Sequence, residues 1–385
     1  MNEEEKEEKK LWQKATKAEG EERVEALIKL SYSAYGKGNH KESLTLCETA
    51  RDVYEAMGAS ASSATLAHIY YGIAWSHNRL KQTEEALRAM DRSLSLYREI
   101  GSTEVVNALK SEGDFWFEAK EYANAQQAYF AITTEGNVDI TEGDIAWAYD
   151  SSAQAFQKMK EWSKAVEHYK IARDLYKKLK NPMSVVHVDE ELSLCYSRLG
   201  MGLDAEVHAK LAVDFAELSE HPFHTAWAKS RLALAYKVQG RYDDAIKELV
   251  EAKTIFNNFN NPDWKSLVCV EREFAELFTL KEDAETAEIY ARRAISLAEI
   301  VADEGEVESP LHIHRVPPGD RQHRPEIAEH DQQHEGDDVV RDRVQRHRQD
   351  AGEAQRPAPE VVAGKAAEQV AYHPGQQRGD REQAD

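Results

Sequence analysis

The stretch "HVDEEL", residues 187 to 192, sets three carboxylates, Asp189, Glu190 and Glu191, beside His187. Acid–base catalysis needs two such groups aimed at one reacting atom. Neighbouring residues of a helix diverge by about 100°, so the expected setting is a solvated helix face and not a catalytic pair. "LHIHR" puts His312 and His314 two residues apart, a spacing open to a metal ion, but in surroundings too polar to pack around one. Cys47, Cys195 and Cys269 are far apart and without CxxC spacing, which fits small core residues better than a disulfide frame or zinc site. No GxxxxGK[ST], HExxH or GxSxG segment occurs. Neither an enzyme, a cofactor nor a metal is expected, and the chemistry left is that of recognition.

Charge narrows the partner. A formal net charge of −21 repels phosphate backbones, and no Lys/Arg cluster compensates, so direct nucleic-acid binding is not expected. No apolar run approaches the roughly 18 residues a membrane span needs. The start "MNEEEKEEKK" is the reverse of a signal peptide, and a cytoplasmic protein with no membrane attachment is expected. Composition leaves the oligomeric state open.

Recognition residues must be positioned by something, and the chain shows a period. In "LALAYKVQGRYDDAIKELVEA", residues 232 to 252, small residues alternate with aromatics. Two helices meeting at Ala233 and Ala245, with Gly240 in the turn, account for it. Equivalents of Ala245 stand at Ser43, Ala86, Ala125, Ala165, Ala205 and Ala287, spaced by 43, 39, 40, 40, 40 and 42 residues. Twelve residues before each is a small residue: Ser31, Ala74, Gly113, Ala153, Ser193, Ala233 or Ala275. Seven after it come Ala50, Ser93, Ile132, Ala172, Ala212, Ala252 and Ala294. Pro182, Pro222 and Pro262 lie 40 apart, each in a break where proline ends one hairpin and opens the next.

With these residues in view, the chain resembles the tetratricopeptide-repeat family, most plainly in "LALAYKVQGRYDDAIKEL" and "SSAQAFQKMKEWSKAVEHY". The unit is about six residues longer than the usual 34, similar to the units of the peptide-pheromone receptors of Gram-positive bacteria. The resemblance implies an all-α, right-handed superhelical solenoid of about seven helical hairpins over residues 21–305. A charged helix within 1–20, carrying Leu11 and Trp12, suits an N-terminal cap. One hairpin cannot bury its apolar face alone, whereas stacked hairpins share a continuous core and a curved groove.

In such a hairpin the first helix lines the concave side. Positions six before, three before, one after and four after its small residue share one face. That places Tyr32, Tyr35, His68, Tyr71, Trp75 and Asn78 in the groove of the early repeats. Asn107, Lys110, Asp114, Phe117, Trp147, Asp150, Gln154 and Gln157 follow, and then Glu190, Leu194, Arg198, Trp227, Ser230, Leu234 and Lys237. Amides there can bond a peptide backbone, and aromatics can take its apolar side chains or pack between repeats. Lys110, Arg79 or Arg198 can hold a carboxylate. The expected function is a non-catalytic module that holds a peptide or partner segment in this groove. The alternatives are a peptide-responsive regulatory receptor acting on a protein partner, and a structural scaffold of a larger assembly.

After about Val307 the composition changes. From Ser309 to Asp385 there is no Phe, Trp, Cys, Met, Asn or Thr, while seven of ten prolines and seven of fifteen histidines fall there. Residues 306–385 are read as a low-complexity, disordered tail. Its near-total switch from Lys to Arg is also what a GC-rich gene read in a shifted frame would give.

Overall fold

The computed structural model describes residues 3–58, 62–136, 138–258 and 263–303. Pro262, His312, His314 and the C-terminal tail lie outside them. Among the described residues there are fifteen α-helices and no strand. α1 (Glu3–Lys17) precedes seven hairpins. These are α2 (Gly20–Gly36) with α3 (His40–Ala56), α4 (Ser63–Arg79) with α5 (Thr83–Glu99), and α6 (Glu104–Glu118) with α7 (Tyr122–Ala131). α8 (Glu142–Lys158) then pairs with α9 (Trp162–Lys178), and α10 (Pro182–Arg198) with α11 (Gly202–Leu218). Last come α12 (Pro222–Val238) with α13 (Tyr242–Asn257), and α14 (Trp264–Leu280) with α15 (Ala284–Asp303). Successive helices pack against each other, and first helices also touch the first helix of the next hairpin, as in α2 with α4, α10 with α12 and α12 with α14.

All seven residues at the period's anchor are buried at 3% exposure or less, from Ser43 to Ala287. Small residues are required because two helix backbones close on each other there. At Gly113 even a methyl group is too much, since a Cβ would stand 2.2 Å from Cε1 of Tyr129. Each hairpin turns through one left-handed residue five positions before its anchor: Gly38, Lys81, Lys120, Lys160, Gly200, Gly240 and Glu282. The turn is closed by backbone bonds such as Gly240 N to Lys237 O (3.0 Å) and Arg241 N to Tyr236 O (2.9 Å), which satisfy the carbonyls a helix end leaves free. Pro182 and Pro222 occupy the first turns of α10 and α12, where no intrahelical N–H is needed.

Two repeats depart from the pattern. α7 ends early in a single 3₁₀ turn, Ile132–Thr134. The hydroxyls of Thr133 and Thr134 bond the carbonyls of Phe130 and Ala131 and compete with the helix for them, while Ile132 stays buried at its expected position. In the last hairpin Phe274, not the neighbouring Ala275, is the buried residue. Tyr290 of α15 stacks on Phe274 and Phe278, with centroids 4.7 and 5.4 Å away, so α14 offers rings instead of a small residue. The core falls into three successive clusters along the chain, as a stack of neighbour-to-neighbour interfaces should. At its start, α1 lays Leu11 and buried Ala15 on the first cluster and leaves Trp12 exposed.

Candidate functional site

The first helices of consecutive hairpins are tied side by side by polar pairs separated by about one repeat in sequence. Tyr32 bonds His68, whose Nδ1 lies 3.2 Å from the Tyr97 hydroxyl. Burial pushes the His68 imidazole below its ordinary pKa, with Glu104 opposing, so it serves as a neutral link between two phenols. Arg79 Nε donates to the Tyr35 hydroxyl (2.9 Å), and the Tyr71 hydroxyl meets Ser111 Oγ (2.8 Å). Asn78 is buried and donates to Glu118 (3.1 Å).

Further along, Lys110 Nζ reaches Asp144 Oδ1 (2.7 Å) and sits 5.0 Å from the Trp147 ring centroid. Asn107 donates to Glu104 on its own helix (3.0 Å). Asp150 is buried and receives Gln154 (3.2 Å) and the Tyr176 hydroxyl (3.4 Å); burial raises its pKa against the pull of His187. Lys237 holds Glu273 and Glu276, the latter at 2.7 Å. The tryptophans all have aromatic neighbours: Trp75 on Phe115 (5.0 Å), Trp147 on Tyr129 (5.4 Å), Trp227 on Phe256 (5.9 Å).

The carboxylates of "HVDEEL" diverge, as helical geometry requires, but they are not solvated. Asp189 and Glu190 are buried. Asp189 accepts two bonds from Arg173 (2.6 and 3.0 Å) and meets His208 Nδ1 at 2.6 Å, while Glu190 faces His224 at 3.3 Å. Glu191 accepts from Gln157 (2.7 Å) and Arg231 (3.3 Å). Burial raises the Glu191 pKa, but Arg231, His187 and Gln157 outweigh it and hold the group below its ordinary value. The solvated reading fails because α10 is packed by α9, α11 and α12 at once, which leaves every carboxylate in need of its own donor.

Where α10, α12 and α14 meet, these ties leave a cavity of about 240 Å3. Leu194, Trp227, Leu234 and Val270 give it apolar walls, and three guanidinium groups, of Arg198, Arg231 and Arg272, line it. Arg231 lies over the Trp227 ring at 5.0 Å, and its Nε is buried without a hydrogen-bond partner. Arg198 and Arg272 have no ion-pair partner among the described residues. The carboxylate at the rim, Glu273, is already held by Lys237. Burial raises the pKa of the Cys269 thiol, with Arg272 and Arg231 opposing, which leaves it a poor nucleophile. Arg198, Arg231 (itself paired with Glu191), Arg272 and Glu273 share this small space with the apolar walls, a lining whose chemistry suits an anionic group joined to an apolar one.

Of the residues expected in the groove, the structure thus gathers Leu194, Arg198, Trp227, Ser230 and Leu234 at this cavity. Lys237 stands beside it through Glu273. Tyr32, Tyr35, His68, Tyr71, Trp75 and Arg79 form a separate aromatic and hydrogen-bonded patch on α2 and α4. Cys269 and Arg272 were missed, yet the same offsets carried one repeat further, six and three residues before Ala275, point to both. Arg231 obeys no such offset. No three His, Cys, Asp or Glu side chains cluster around a possible metal position among the described residues.

Residues 224–300 match the family model of the tetratricopeptide repeat. With the seven stacked hairpins, the fold is that of a tetratricopeptide-repeat solenoid, an architecture whose curvature creates an extended concave surface. Solved structures share the fold. The apo form of RapI superposes with a TM-score of 0.63 at 15% identity, over 78% of this chain and 81% of that one. The apo form of the quorum sensor NprR from B. thuringiensis gives 0.54 at 20%, over 76% and 81%. A signal-transduction ATPase with a tetratricopeptide-repeat sensor, from Pyrococcus horikoshii, gives 0.55 at 16%, over 74% of this chain and 44% of its own. At these identities the likeness is one of fold. No curated protein matches the chain in sequence. Among the described residues no helix is long and apolar enough to cross a membrane.

Proposed function

We propose that this chain is a non-catalytic module that holds an extended peptide or partner segment along its first helices, and that a carboxylate of that segment is anchored in the cavity between α10, α12 and α14. The observation that carries this reading is the three-arginine lining with Trp227 beside it. Arg198 and Arg272 clamp the carboxylate, and Leu194, Trp227 and Leu234 take the adjoining apolar side chain. Tyr32, Arg79, Asn107, Lys110 and Gln154 extend the contact toward the N-terminal repeats, with Tyr35, His68, Tyr71, Trp75 and Trp147 forming the wall behind them. Buried Asn78 and Asp150 brace that wall. The segment is a protein or peptide in the cytoplasm, and neither nucleic acid nor membrane is bound. α1, within residues 1–20, caps a solenoid that runs to about residue 305.

A regulatory version of the same reading has one observation in its favour. Arg231 both lines the cavity and ties α12 to Glu191 of α10. A ligand carboxylate competing for Arg231 loosens that tie, and an array in which each repeat touches only its neighbours converts a change at one interface into a change of pitch.

The test is capture from native lysate by the full chain and by its Arg198→Gln/Trp227→Ala/Arg272→Gln variant, matched for helicity by circular dichroism and read by mass spectrometry. A partner retained by the first and lost by the second is the expected result. Equal retention overturns the assignment of the working surface.

A further inference from the structure

Among the second helices of the hairpins, α11 stands apart. Along its outer side Leu203, Val207, Leu211, Phe215 and Leu218 form one continuous ridge, and all five are exposed, Leu203 by 72% and Leu218 by 82%. The repeat supplies its own control. At the same five positions forty residues earlier stand Ser163, Glu167, Ile171, Leu175 and Lys178, and forty later Asp243, Lys247, Glu251, Ile255 and Asn258. Those outer faces are mostly polar, as solvated helix faces should be. The hairpin scaffold therefore does not require apolar residues there, and a contiguous apolar surface needs a partner.

We propose that α11 is a two-fold interface that pairs two copies of this chain through antiparallel α11 helices centred on Leu211. The ridge is self-complementary about that residue. Val207 and Phe215 lie four positions to either side of it, and Leu203 and Leu218 lie eight and seven. An antiparallel copy therefore sets Val207 beside Phe215 of the second copy and Leu203 beside Leu218 of the second copy. Both pairs stay in contact when the helices cross at a shallow angle, as in the packing class near +20°.

Charge agrees with the same arrangement. Lys210 and Asp214 are both exposed on one flank of the ridge, and Lys210, which pairs with Glu206 on its own helix (2.7 Å), also comes within reach of Asp214 of the second copy across the two-fold. The net charge of −21 does not forbid approach, because at physiological ionic strength repulsion is screened beyond about 8 Å. The chain's own C-terminal segment is a poorer occupant, since residues 309 to 385 contain no Phe, Trp or Met to lay on the ridge. Neither the ridge nor its neighbours on α11 line the arginine cavity, so this interface leaves the proposed peptide site of each copy open.

Sedimentation equilibrium of the full chain tests it. The expected result is a dimer that becomes a monomer in Val207→Glu/Phe215→Glu with unchanged helicity. Lys210→Glu weakens the dimer by roughly tenfold, and Lys210→Glu/Asp214→Lys restores it, because the swap re-forms both pairs. Mild oxidation of Leu211→Cys yields a disulfide-linked dimer, whereas Leu203→Cys, distant from its own copy, does not cross-link. A wild-type chain that stays monomeric up to its solubility limit overturns the proposal. So does a dimer that survives Val207→Glu/Phe215→Glu, or cross-linking at Leu203→Cys and not at Leu211→Cys.

Discussion

Gly113 and Tyr129 are in contact so close that a methyl group on the first would lie 2.2 Å from Cε1 and 2.3 Å from Cδ1 of the second. The ring cannot simply swing aside. Its hydroxyl donates to Asp114 (2.7 Å), and its edge meets Trp147 at 5.4 Å. Gly113→Ala is therefore expected to destabilise the protein by about 1–3 kcal/mol, the usual cost of overpacking, despite alanine's better helix propensity. Urea denaturation checks it, and a second substitution, Tyr129→Leu, should recover part of the loss.

The hairpin turns offer a graded comparison. Gly240 and Lys160 occupy the same left-handed turn position with φ of 74° and 62°. A side chain there carries a steric cost that glycine avoids. Lys160→Gly is expected to be neutral to stabilising by up to about 1 kcal/mol, while Gly240→Ala should cost about 1 kcal/mol. Melting temperatures moving in these opposite directions would show that the turn sets the stability; a loss in both variants would show that the Lys160 side chain matters more than its backbone.

The His224–Glu190 pair gives a pH dependence. The hydrogen bond to Glu190 raises the His224 pKa above its ordinary 6.5, with burial opposing. The folded state then holds the imidazole proton more tightly than the unfolded chain. This contribution is complete below about pH 6.5 and fades as pH rises through the folded value. The stability difference between wild type and His224→Gln is expected to be larger near pH 5.5 than near pH 8.5, as read by denaturation at both. A difference that grows with pH would contradict the pairing.

The fold was largely written in small residues. An alanine, serine or glycine that recurs because two backbones meet cannot be exchanged for something larger, so Ala86, Ala165 and Ala245 announce the hairpins without any partner being known. The binding face was legible only in part. Helical offsets place a side chain on a face, but they do not say whether its charge is spent. Lys110 and Lys237 are on the expected side, yet Asp144 and Glu273 of the following repeats take their charges. Arg198 has no ion-pair partner among the described residues, and it lines the same cavity as Arg272, while the Glu273 carboxylate there is held by Lys237. Asp189 misled for the opposite reason, since its polarity suggested solvent while α9, with Arg173, closes over it.

A cavity between α10, α12 and α14 that anchors a carboxylate of a bound peptide must select peptides by that group. The most direct measurement is binding of the fluorescently labelled full chain, wild type and Arg198→Gln/Arg272→Gln, to an array of random heptapeptides displayed with free-acid and amidated C-termini. Peptides pairing a carboxylate with a neighbouring apolar residue should be enriched by wild type and lost by the variant. Retention of bound free-acid peptides only would assign the carboxylate to the C-terminus, and retention of both forms to an Asp or Glu side chain. Enrichment of peptides without a carboxylate, or equal binding by the variant, would contradict the account.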